Sequence, residues 1–222
     1  AAAAAAAAPA APVPPPGEAA GQRRQRYFIS MMDEELCRKG VFVRLRKRTR
    51  VLIVGLLGLS QFSRRAYATM RSIFLKKINK GGLPLLNELV VEAAKREIAE
   101  VLLLVAERER HPVALYCTAG KDRTGIISVL LLAVAGVEDD AIVADYVESD
   151  SVYRDMADKG AMVGALEQMD LDPDEFLSAR PEVVRHCMDY IRHHYGSVHG
   201  YLSHLGLTDE DQARLRRALT EP

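Results

Sequence analysis

The 222-residue sequence has few cysteines, no net charge and no long apolar run, and each of these absences excludes a class of protein. Its three cysteines, an odd number, argue against a disulfide framework and favour a reducing compartment, so we expect an intracellular, cytoplasmic protein. A formal net charge of zero indicates no particular partner, and we predict no binding of nucleic acid. No apolar run reaches the roughly 18–20 residues that span a bilayer.

Metal ligands and cofactor motifs are also scarce. The adjacent residues His193 and His194 would face different sides of a helix, which makes them a poor pair of metal ligands. No two cysteines are close enough in the sequence for a zinc knuckle. Gly120 and Lys121 are followed by Asp122, whereas a nucleotide-binding P-loop needs Ser or Thr at that position. We therefore predict no metal and no cofactor.

The first 22 residues are almost entirely Ala, Pro and Gly, a low-complexity composition that predicts a disordered Ala/Pro-rich tail over residues 1–22. Arginines follow at positions 23, 24 and 26, and an Ala-rich start with nearby Arg is also typical of the remnant of a transit peptide. A biased linker is the simpler interpretation, although organelle targeting stays open. Residues 23–222 are long enough for one domain with a sizeable apolar core.

The stretch that carries chemistry is Cys-Thr-Ala-Gly-Lys-Asp-Arg-Thr-Gly, residues 117–125. A short apolar run, residues 113–115, precedes it, and ten almost wholly apolar residues, 126–135, follow it. This pattern predicts a buried strand, a tight loop and a buried helix. Free backbone amides and the helix dipole at such a loop bind anions and stabilise the thiolate form of Cys117. Arg123, six positions later, offers a planar fork that fits two phosphate oxygens.

A thiolate next to a phosphate-binding loop provides the groups that phosphoryl transfer through a cysteinyl-phosphate intermediate requires. Two other interpretations explain less of the sequence. An inert cysteine in a glycine turn would not account for Lys121, Asp122 and Arg123, which crowd together between two apolar segments. A cysteine protease that uses Cys117 with a distant histidine would leave Arg123 and the glycine-containing loop unexplained.

This loop resembles the signature of the protein tyrosine phosphatase superfamily. Its form is similar to that of the tyrosine/serine phosphatase group of bacteria, fungi and plants, some members of which also act on phosphoinositides. Residues 79–84, 144–146 and 195–202 are similar to that group too, and the similarity covers most of residues 27–215. The resemblance implies an α/β fold with a central, mainly parallel sheet flanked by helices, and with the phosphatase loop between a strand and a helix. It makes residues 23–222 a protein tyrosine phosphatase-like domain.

Two departures from the group bear on fold and activity. Tyr116 precedes the cysteine where the group usually has His, and that His helps to order the loop through a hydrogen bond. The group also opens with a Phe-Arg-Asp-Leu-Gly-Gly-like motif and a further strand, neither of which is found here, so an N-terminal part of the fold could be missing. These departures keep a second interpretation open, a catalytically weak phosphate-binding pseudophosphatase or an inactive fragment.

The residue types and the resemblance together assign roles within the loop. Cys117 is the nucleophile, Arg123 holds the phosphate, and the Thr124 hydroxyl can hydrogen-bond the thiolate as the intermediate is hydrolysed. The other loop residues are expected to contact the substrate phosphate: Thr118, Ala119, Gly120, Lys121 and Gly125. Lys121 resembles the basic residue with which phosphoinositide phosphatases hold additional ring phosphates, but a solvated, outward-facing lysine is an equally good interpretation.

The proton donor for the leaving oxygen is harder to assign, because the sequence has no Asp between Glu34 and Lys121. Many relatives take this acid from an Asp on an upstream loop. We therefore expect Asp122 to be the acid, and members of the resembling group are thought to use this loop Asp. A carboxyl beside a thiolate and a phosphate dianion should have a raised pKa, although the lysine next to it would oppose that shift. Asp145 and Glu88 are the fallback candidates.

The expected substrate is a protein that carries phosphotyrosine or phosphoserine, or a phosphoinositide. Residues 44–50 contain five Lys or Arg and are followed by the apolar residues 51–59. A basic cluster beside an apolar segment can favour an anionic membrane surface. Nine apolar residues suit a core helix better than a membrane span, however, and we prefer that interpretation. The sequence indicates no oligomeric state.

Helical periodicity and end signals predict several further elements. A helix is expected over residues 60–80, with the following stripe toward the core: Phe62, Tyr67, Met70, Phe74 and Ile78. Gly81 and Gly82 should end that helix, and a long helix should then run from Pro84 to about Arg110. Thr208 and Asp211 have the spacing of a capping box for the last helix.

Overall fold

The structure, a computed structural model, describes residues 25–31, 34–118, 120–155 and 159–221. Helices make up most of this part of the chain. They are α1 Glu34–Val43, α2 Lys47–Ser60, α3 Arg64–Ala93, α4 Lys95–Val105, α5 Asp122–Ala135, α6 Asp139–Asp155, α7 Lys159–Gln168, α8 Pro173–Phe176, α9 Pro181–Tyr195, α10 Val198–His204 and α11 Asp209–Thr220, with a 3-10 helix at Arg108–Arg110. The predicted disordered tail, residues 1–22, and the loop residue Ala119 lie outside the described residues.

The predicted central parallel sheet is not found among the described residues, so the α/β assignment is wrong for this part of the chain. Of the residues described, Arg26 alone takes part in a β-bridge, and none belongs to a strand. Residues 113–115, which the apolar pattern predicted as a strand, are irregular, and so are residues 27–31. Val113 and Ala114 are exposed, whereas a central strand would have buried them.

The reason for this difference is that a β-strand is stable only when it pairs with an adjacent strand. Backbone hydrogen bonds to an adjacent strand hold it in place, and a run of three apolar residues does not by itself distinguish a strand from a loop. Met31 is buried in the helical core, and Ile29 and Leu115 pack against that core as well. The apolar side chains of both segments are therefore accommodated by helices rather than by a sheet.

Helix α5 lies at the centre of the core, because it is apolar on nearly every side. Ile126, Ile127 and Leu130 belong to a large buried cluster that also contains side chains of α3, α4, α9, α10 and α11. Val129 belongs to a second cluster, with side chains of α3, α6, α8 and α9. The predicted buried helix after the loop is thus confirmed, and its packing on both clusters fixes the position of its first turn.

Several helix ends follow local sequence signals. Gly82 interrupts α3 with φ 56°, and a Cβ at this position would collide with the carboxylate of Glu175. The long helix predicted to follow is divided into the end of α3 and α4, because Ala94 leaves helical geometry. Near the other end of the chain, Thr208 and Asp211 form the predicted capping box.

Helix α2 shows that the prediction of a core helix over residues 51–59 is wrong. Ile53 is the one fully buried residue of α2. The exposed apolar side chains of this helix are Val51, Leu52, Val54, Leu57 and Leu59. The stripe predicted for the next helix is also partly wrong, since Met70 is buried but Phe62 lies in solvent. Within the described part of the chain, no helix has both the length and the apolar character to cross a membrane.

Candidate active site

The predicted phosphate loop leads directly into helix α5. Gly120 has φ 66°, a left-handed backbone conformation that favours glycine and turns the chain toward the helix. Helix α5 begins at Asp122, and the Gly125 amide donates to the Lys121 carbonyl oxygen at 2.7 Å in its first turn. The loop therefore ends at a helix N-terminus, where free backbone amides attract anions.

The predicted nucleophile and the predicted phosphate ligand lie at the same end of α5. Cys117 is partly buried. Arg123 Nη2 donates to Oγ1 of Thr118, the neighbour of the cysteine, at 3.2 Å, so the guanidinium reaches back across the loop to its beginning. Cys187 is in different surroundings, because burial raises the pKa of its thiol to about 12.

The sequence suggested two environments for Lys121, beside the ring phosphates of a substrate or in solvent, and Lys121 occupies neither. Its side chain is 1% exposed, and its ammonium donates to the carbonyl oxygens of Phe176 at 2.8 Å and Ser178 at 2.7 Å. Burial lowers the pKa of Lys121, while the nearby carboxylates of Asp122 and Asp150 oppose that shift. The ammonium is thus directed into the turn between α8 and α9, and it fastens the loop to that turn.

The Asp122 carboxyl is largely buried beside this lysine. Its Oδ1 lies 3.6 Å from Lys121 Nζ, close enough for attraction but too far for a hydrogen bond. Burial raises the pKa of Asp122, against the opposing pull of Lys121 and Arg123. Within the described residues, neither Asp122 Oδ1 nor the buried Thr124 hydroxyl has a hydrogen-bond partner. Buried polar groups of this kind are expected to find a partner, and a bound substrate could supply it.

Gly125, the last residue of the loop, lies against the ring of Tyr146 on α6. A Cβ at Gly125 would be 3.0 Å from a ring carbon of Tyr146, so a larger side chain would push the ring or the two helices apart. Close packing of α5 on α6 therefore requires glycine here, whether or not Gly125 also contacts a phosphate.

The remaining candidates lie in separate surroundings. Tyr116, in the place of the usual histidine, is 80% exposed. Asp145 is exposed on α6. Glu88 pairs with Arg44 at 3.2 Å and with His186 at 2.8 Å, which holds it on α3 against α9. Asp145 thus lacks the burial of the loop carboxylate, and Glu88, although it is as little exposed as Asp122, is engaged in ion pairs with residues outside the loop.

The residues that support the loop from outside were not predictable from local sequence. Lys121 binds carbonyl oxygens that are 55 and 57 positions later in the chain. Such partners carry no sequence signal, because every residue has a carbonyl group. Asp150 of α6 supports the same turn by accepting from the Ala179 amide at 3.2 Å, and no motif marks this pair either.

A helix N-terminus that can attract anions, with a cysteine on the segment that leads into it, resembles the arrangement of a cysteine-based phosphatase loop. Residues 56–221 match the tyrosine phosphatase family, and the chain belongs to that family. Triple specificity protein phosphatase PtpB of Mycobacterium tuberculosis is 34% identical over 138 residues, which cover 57% of this chain and 49% of that protein. A tyrosine-protein phosphatase of Nostoc commune is 33% identical over 129 residues, 54% of this chain and 43% of that protein. The chain spans about half the length of the curated relatives that it matches.

Proposed function

We propose that this chain is a cysteine-dependent phosphatase that hydrolyses phosphomonoesters through a cysteinyl-phosphate intermediate. The observation that carries this proposal is the hydrogen bond from Arg123 to Thr118, directly beside Cys117. This hydrogen bond places the guanidinium of Arg123 on the loop that bears the thiol. The free amides at the start of α5 adjoin the same loop, and both groups favour a bound phosphate. Membership of the tyrosine phosphatase family supports the same activity.

In the first step, the Cys117 thiolate attacks phosphorus while the bond from phosphorus to the ester oxygen breaks. Arg123 and the loop amides stabilise the charge on the three non-bridging oxygens. The leaving oxygen takes its proton from Asp122. This step produces a dephosphorylated phenol or alcohol and a phosphorylated cysteine.

In the second step, water attacks the phosphorus and gives its proton to Asp122. The sulfur–phosphorus bond breaks, and inorganic phosphate and the thiolate are formed. The Thr124 hydroxyl donates to this thiolate and makes it a better leaving group. That hydroxyl is buried without a hydrogen-bond partner among the described residues, which supports the assignment.

The raised pKa of Asp122 supports its assignment as the acid. An acid must hold its proton at the start of the reaction, and an ordinary Asp is almost wholly ionised near neutral pH. Once the proton has left, the ammonium of Lys121 at 3.6 Å stabilises the carboxylate. Asp145 is exposed and has no comparable surroundings.

The proposed substrates are phosphotyrosine or phosphoserine in proteins, and phosphoinositides. The Mycobacterium tuberculosis relative is named a triple specificity phosphatase, which supports a broad range. A role for Lys121 in holding additional ring phosphates receives no support from its contacts, because its ammonium already binds two carbonyl oxygens. Recognition of a phosphoinositide would then depend on other groups.

A catalytically weak phosphate-binding module is the second candidate. The observation that favours it is the exposure of the segment before the cysteine, at Val113, Ala114 and Tyr116. Tyr116 also replaces the histidine that helps to order the loop in the resembling group. A loosely held Cys117 would attack slowly, because its sulfur would seldom be aligned with phosphorus, while Arg123 would still bind the phosphate.

Phosphate release from a phosphotyrosine peptide, a phosphoserine peptide and a panel of phosphoinositides tests the proposal. We expect Cys117→Ser to lose at least about a thousandfold in turnover, because a hydroxyl is a far weaker nucleophile than a thiolate. It should still bind inorganic phosphate. The control Cys187→Ala should keep wild-type turnover, since its thiol is buried and protonated.

The outcomes separate the two candidates. Turnover of Cys117→Ser at the wild-type rate would refute the cysteine mechanism. Binding of phosphate by the wild type without release from any substrate would favour the phosphate-binding module. If release is seen, the preferred substrate decides between proteins and lipids.

A further inference from the structure

One side of helix α2 is both basic and apolar, and it faces solvent. At about 100° per residue, positions 47, 48, 51, 54, 55, 58 and 59 fall on the side of α2 opposite the buried Ile53. The side chains of this α2 face are Lys47, Arg48, Val51, Val54 and Leu59, with Phe62 just beyond the end of the helix. We propose that the α2 face docks on a membrane surface of anionic lipids.

The apolar part of the α2 face lacks cover from the rest of the described chain. Val51 is 74% exposed and Phe62 is 93% exposed, whereas Ile53 on the opposite side is 4% exposed. A Cβ added at Gly55 or Gly58 would meet nothing within 4 Å among the described residues, so no described element covers the middle of this side. Exposed apolar side chains in a contiguous patch indicate a binding surface, because burial in a lipid interface would remove them from water.

The sign of the charge around the α2 face suits anionic lipids. Residues 36–87 contain thirteen Lys or Arg and no Asp or Glu, although the whole chain has thirty of each. In the described part of the chain, Lys47 and Arg48 form no ion pair. Their long side chains can lie along the apolar surface and place their charges at the level of lipid head groups. The neutral net charge of the chain therefore conceals a strongly basic region.

The beginning of α2 also favours an anion. Its first turn contains no acidic residue, and Arg46 at the N-cap makes no side-chain capping hydrogen bond. Lys47 and Arg48 in that turn are repelled by the positive end of the helix dipole, which destabilises the helix in water. Lipid phosphates at this end would offset the repulsion and accept hydrogen bonds from the free amides.

The proposed geometry is a helix that lies in the interface. Helix α2 has 14 residues and is about 21 Å long, shorter than the hydrocarbon core of roughly 30 Å. Its basic residues at one end and apolar residues along the rest are typical of helices that bind parallel to a membrane surface. Ile53 would remain buried and α2 would keep its contacts with α3, so docking requires no rearrangement of the described fold.

Two other occupants fit the α2 face less well. A second copy packed on the same face would cover apolar side chains but would leave Lys47 and Arg48 without opposite charges, because this face carries no acidic residue. A nucleic acid would neutralise these cations but leave Val51, Val54 and Phe62 in water. An anionic lipid surface satisfies both the charges and the apolar side chains.

Co-sedimentation of the full chain with vesicles of phosphatidylcholine, alone or mixed with phosphatidylserine, tests the proposal. We expect binding only when phosphatidylserine is present, and weaker binding as the salt concentration rises. Phe62→Glu should lower the affinity for these vesicles at least about tenfold, because it removes an apolar anchor and adds a negative charge. Lys47→Glu should lower it at least about fivefold.

Matched variants outside the α2 face control for surface changes in general. Met169→Glu replaces another exposed apolar side chain, and Arg96→Glu replaces another exposed cation. Both should bind vesicles like the wild type, and all variants should keep its helical circular dichroism spectrum. Equal binding by Phe62→Glu and the wild type would overturn the proposal, as would no binding to any vesicle. A dimer that Phe62→Glu dissociates, in the absence of vesicle binding, would assign the α2 face to a second copy.

Vesicle docking goes beyond the proposed phosphatase activity and does not depend on it. Cys117→Ser protein should bind vesicles like the wild type, so failure of turnover and failure of docking are separate results. If both proposals hold, Phe62→Glu should slow phosphate release from a phosphoinositide in vesicles at least about tenfold. Release from a soluble phosphotyrosine peptide should be unchanged.

Discussion

The phosphate loop and helix α2 depart from the usual distribution of polar and apolar side chains in opposite directions. At the loop, the charged side chain of Lys121 is buried, and the carboxyl of Asp122 is largely buried beside it. On α2, Val51 and Leu57 are exposed, and Phe62 beyond its end is almost wholly in solvent. Folded proteins usually keep charges in water and bury contiguous apolar surface.

The two regions differ in whether the chain itself supplies partners. Lys121 binds two carbonyl oxygens and lies near the Asp122 carboxylate, and these contacts offset much of the cost of removing its charge from water. Among the described residues, the one buried residue of α2 is Ile53, which lies on the side of the helix opposite the α2 face. The internal partners of the buried charges hold the loop in place, whereas the uncovered apolar side chains indicate a surface that binds something outside the chain.

The same substitution in the two regions should show the largest contrast. Leu130→Ala on α5 should lower the free energy of unfolding by about 2–5 kcal/mol, because Leu130 is fully buried and its loss leaves a cavity. Leu57→Ala on α2 should change it by less than about 0.5 kcal/mol, since that side chain is exposed. Urea unfolding of both variants measures the difference. Similar losses for the two leucines would mean that α2 is covered in solution.

Asp122→Asn should lower the rate by about a hundredfold for substrates with poor leaving groups, which is roughly 2.7 kcal/mol in the barrier. Substrates with good leaving groups should be much less affected in the first step, which a pre-steady-state burst of the leaving group measures, because that step then needs no proton. Asp145→Asn, on the exposed side of α6, is the matched control and should leave both rates unchanged. An equal loss for good and poor leaving groups would remove Asp122 as the acid.

The pH dependence of the same rate gives a further check. The acid works in its protonated form, so the rate should fall as the pH rises through the pKa of Asp122. Because burial raises this pKa, the fall should occur at a higher pH than for an ordinary Asp. In Asp122→Asn this limb of the pH profile should be absent. A profile that keeps the limb would assign it to another group.

Lys121→Met should lower the free energy of unfolding by roughly 1–3 kcal/mol, because the carbonyl oxygens of Phe176 and Ser178 would lose their donor. Lys80→Met applies the same change to an exposed lysine of α3 and should have an effect within about 0.5 kcal/mol. Denaturant unfolding compares the two. If both variants unfold like the wild type, the ammonium of Lys121 does not fasten the loop.

The starts of two helices provide the smallest contrast. Thr208→Ala should lower the free energy of unfolding by about 1 kcal/mol, because it removes the capping box of α11. Arg46→Asp should raise it by about 0.5–1 kcal/mol, because it supplies the missing cap and the favourable charge at the start of α2. Thermal unfolding resolves both shifts. A loss of stability in Arg46→Asp would show that the cations at this end have partners in the folded chain.

The parts of the fold that were predictable have signals within a few residues of each other. The loop of residues 117–125, the apolar helix after it, the break at Gly82 and the capping box at Thr208 are all of this kind. Their physical causes are local, since capping, backbone turns and helix dipoles act over about one helical turn. The strand predicted before Cys117 failed because pairing requires a second segment, which a run of three apolar residues does not specify.

The sequence by itself determined the order of Cys117, Asp122, Arg123 and Thr124 in the loop, and the proposed chemistry follows from that order. Only the tertiary structure decided that Lys121 is buried and that the side chains of α2 are exposed. The partners of the lysine are carbonyl oxygens more than fifty positions away. No residue type predicts such a partner, because every residue has a carbonyl oxygen. An apolar run likewise shows that burial of its side chains would be favourable. Whether the chain itself buries them depends on how helices distant in the sequence pack.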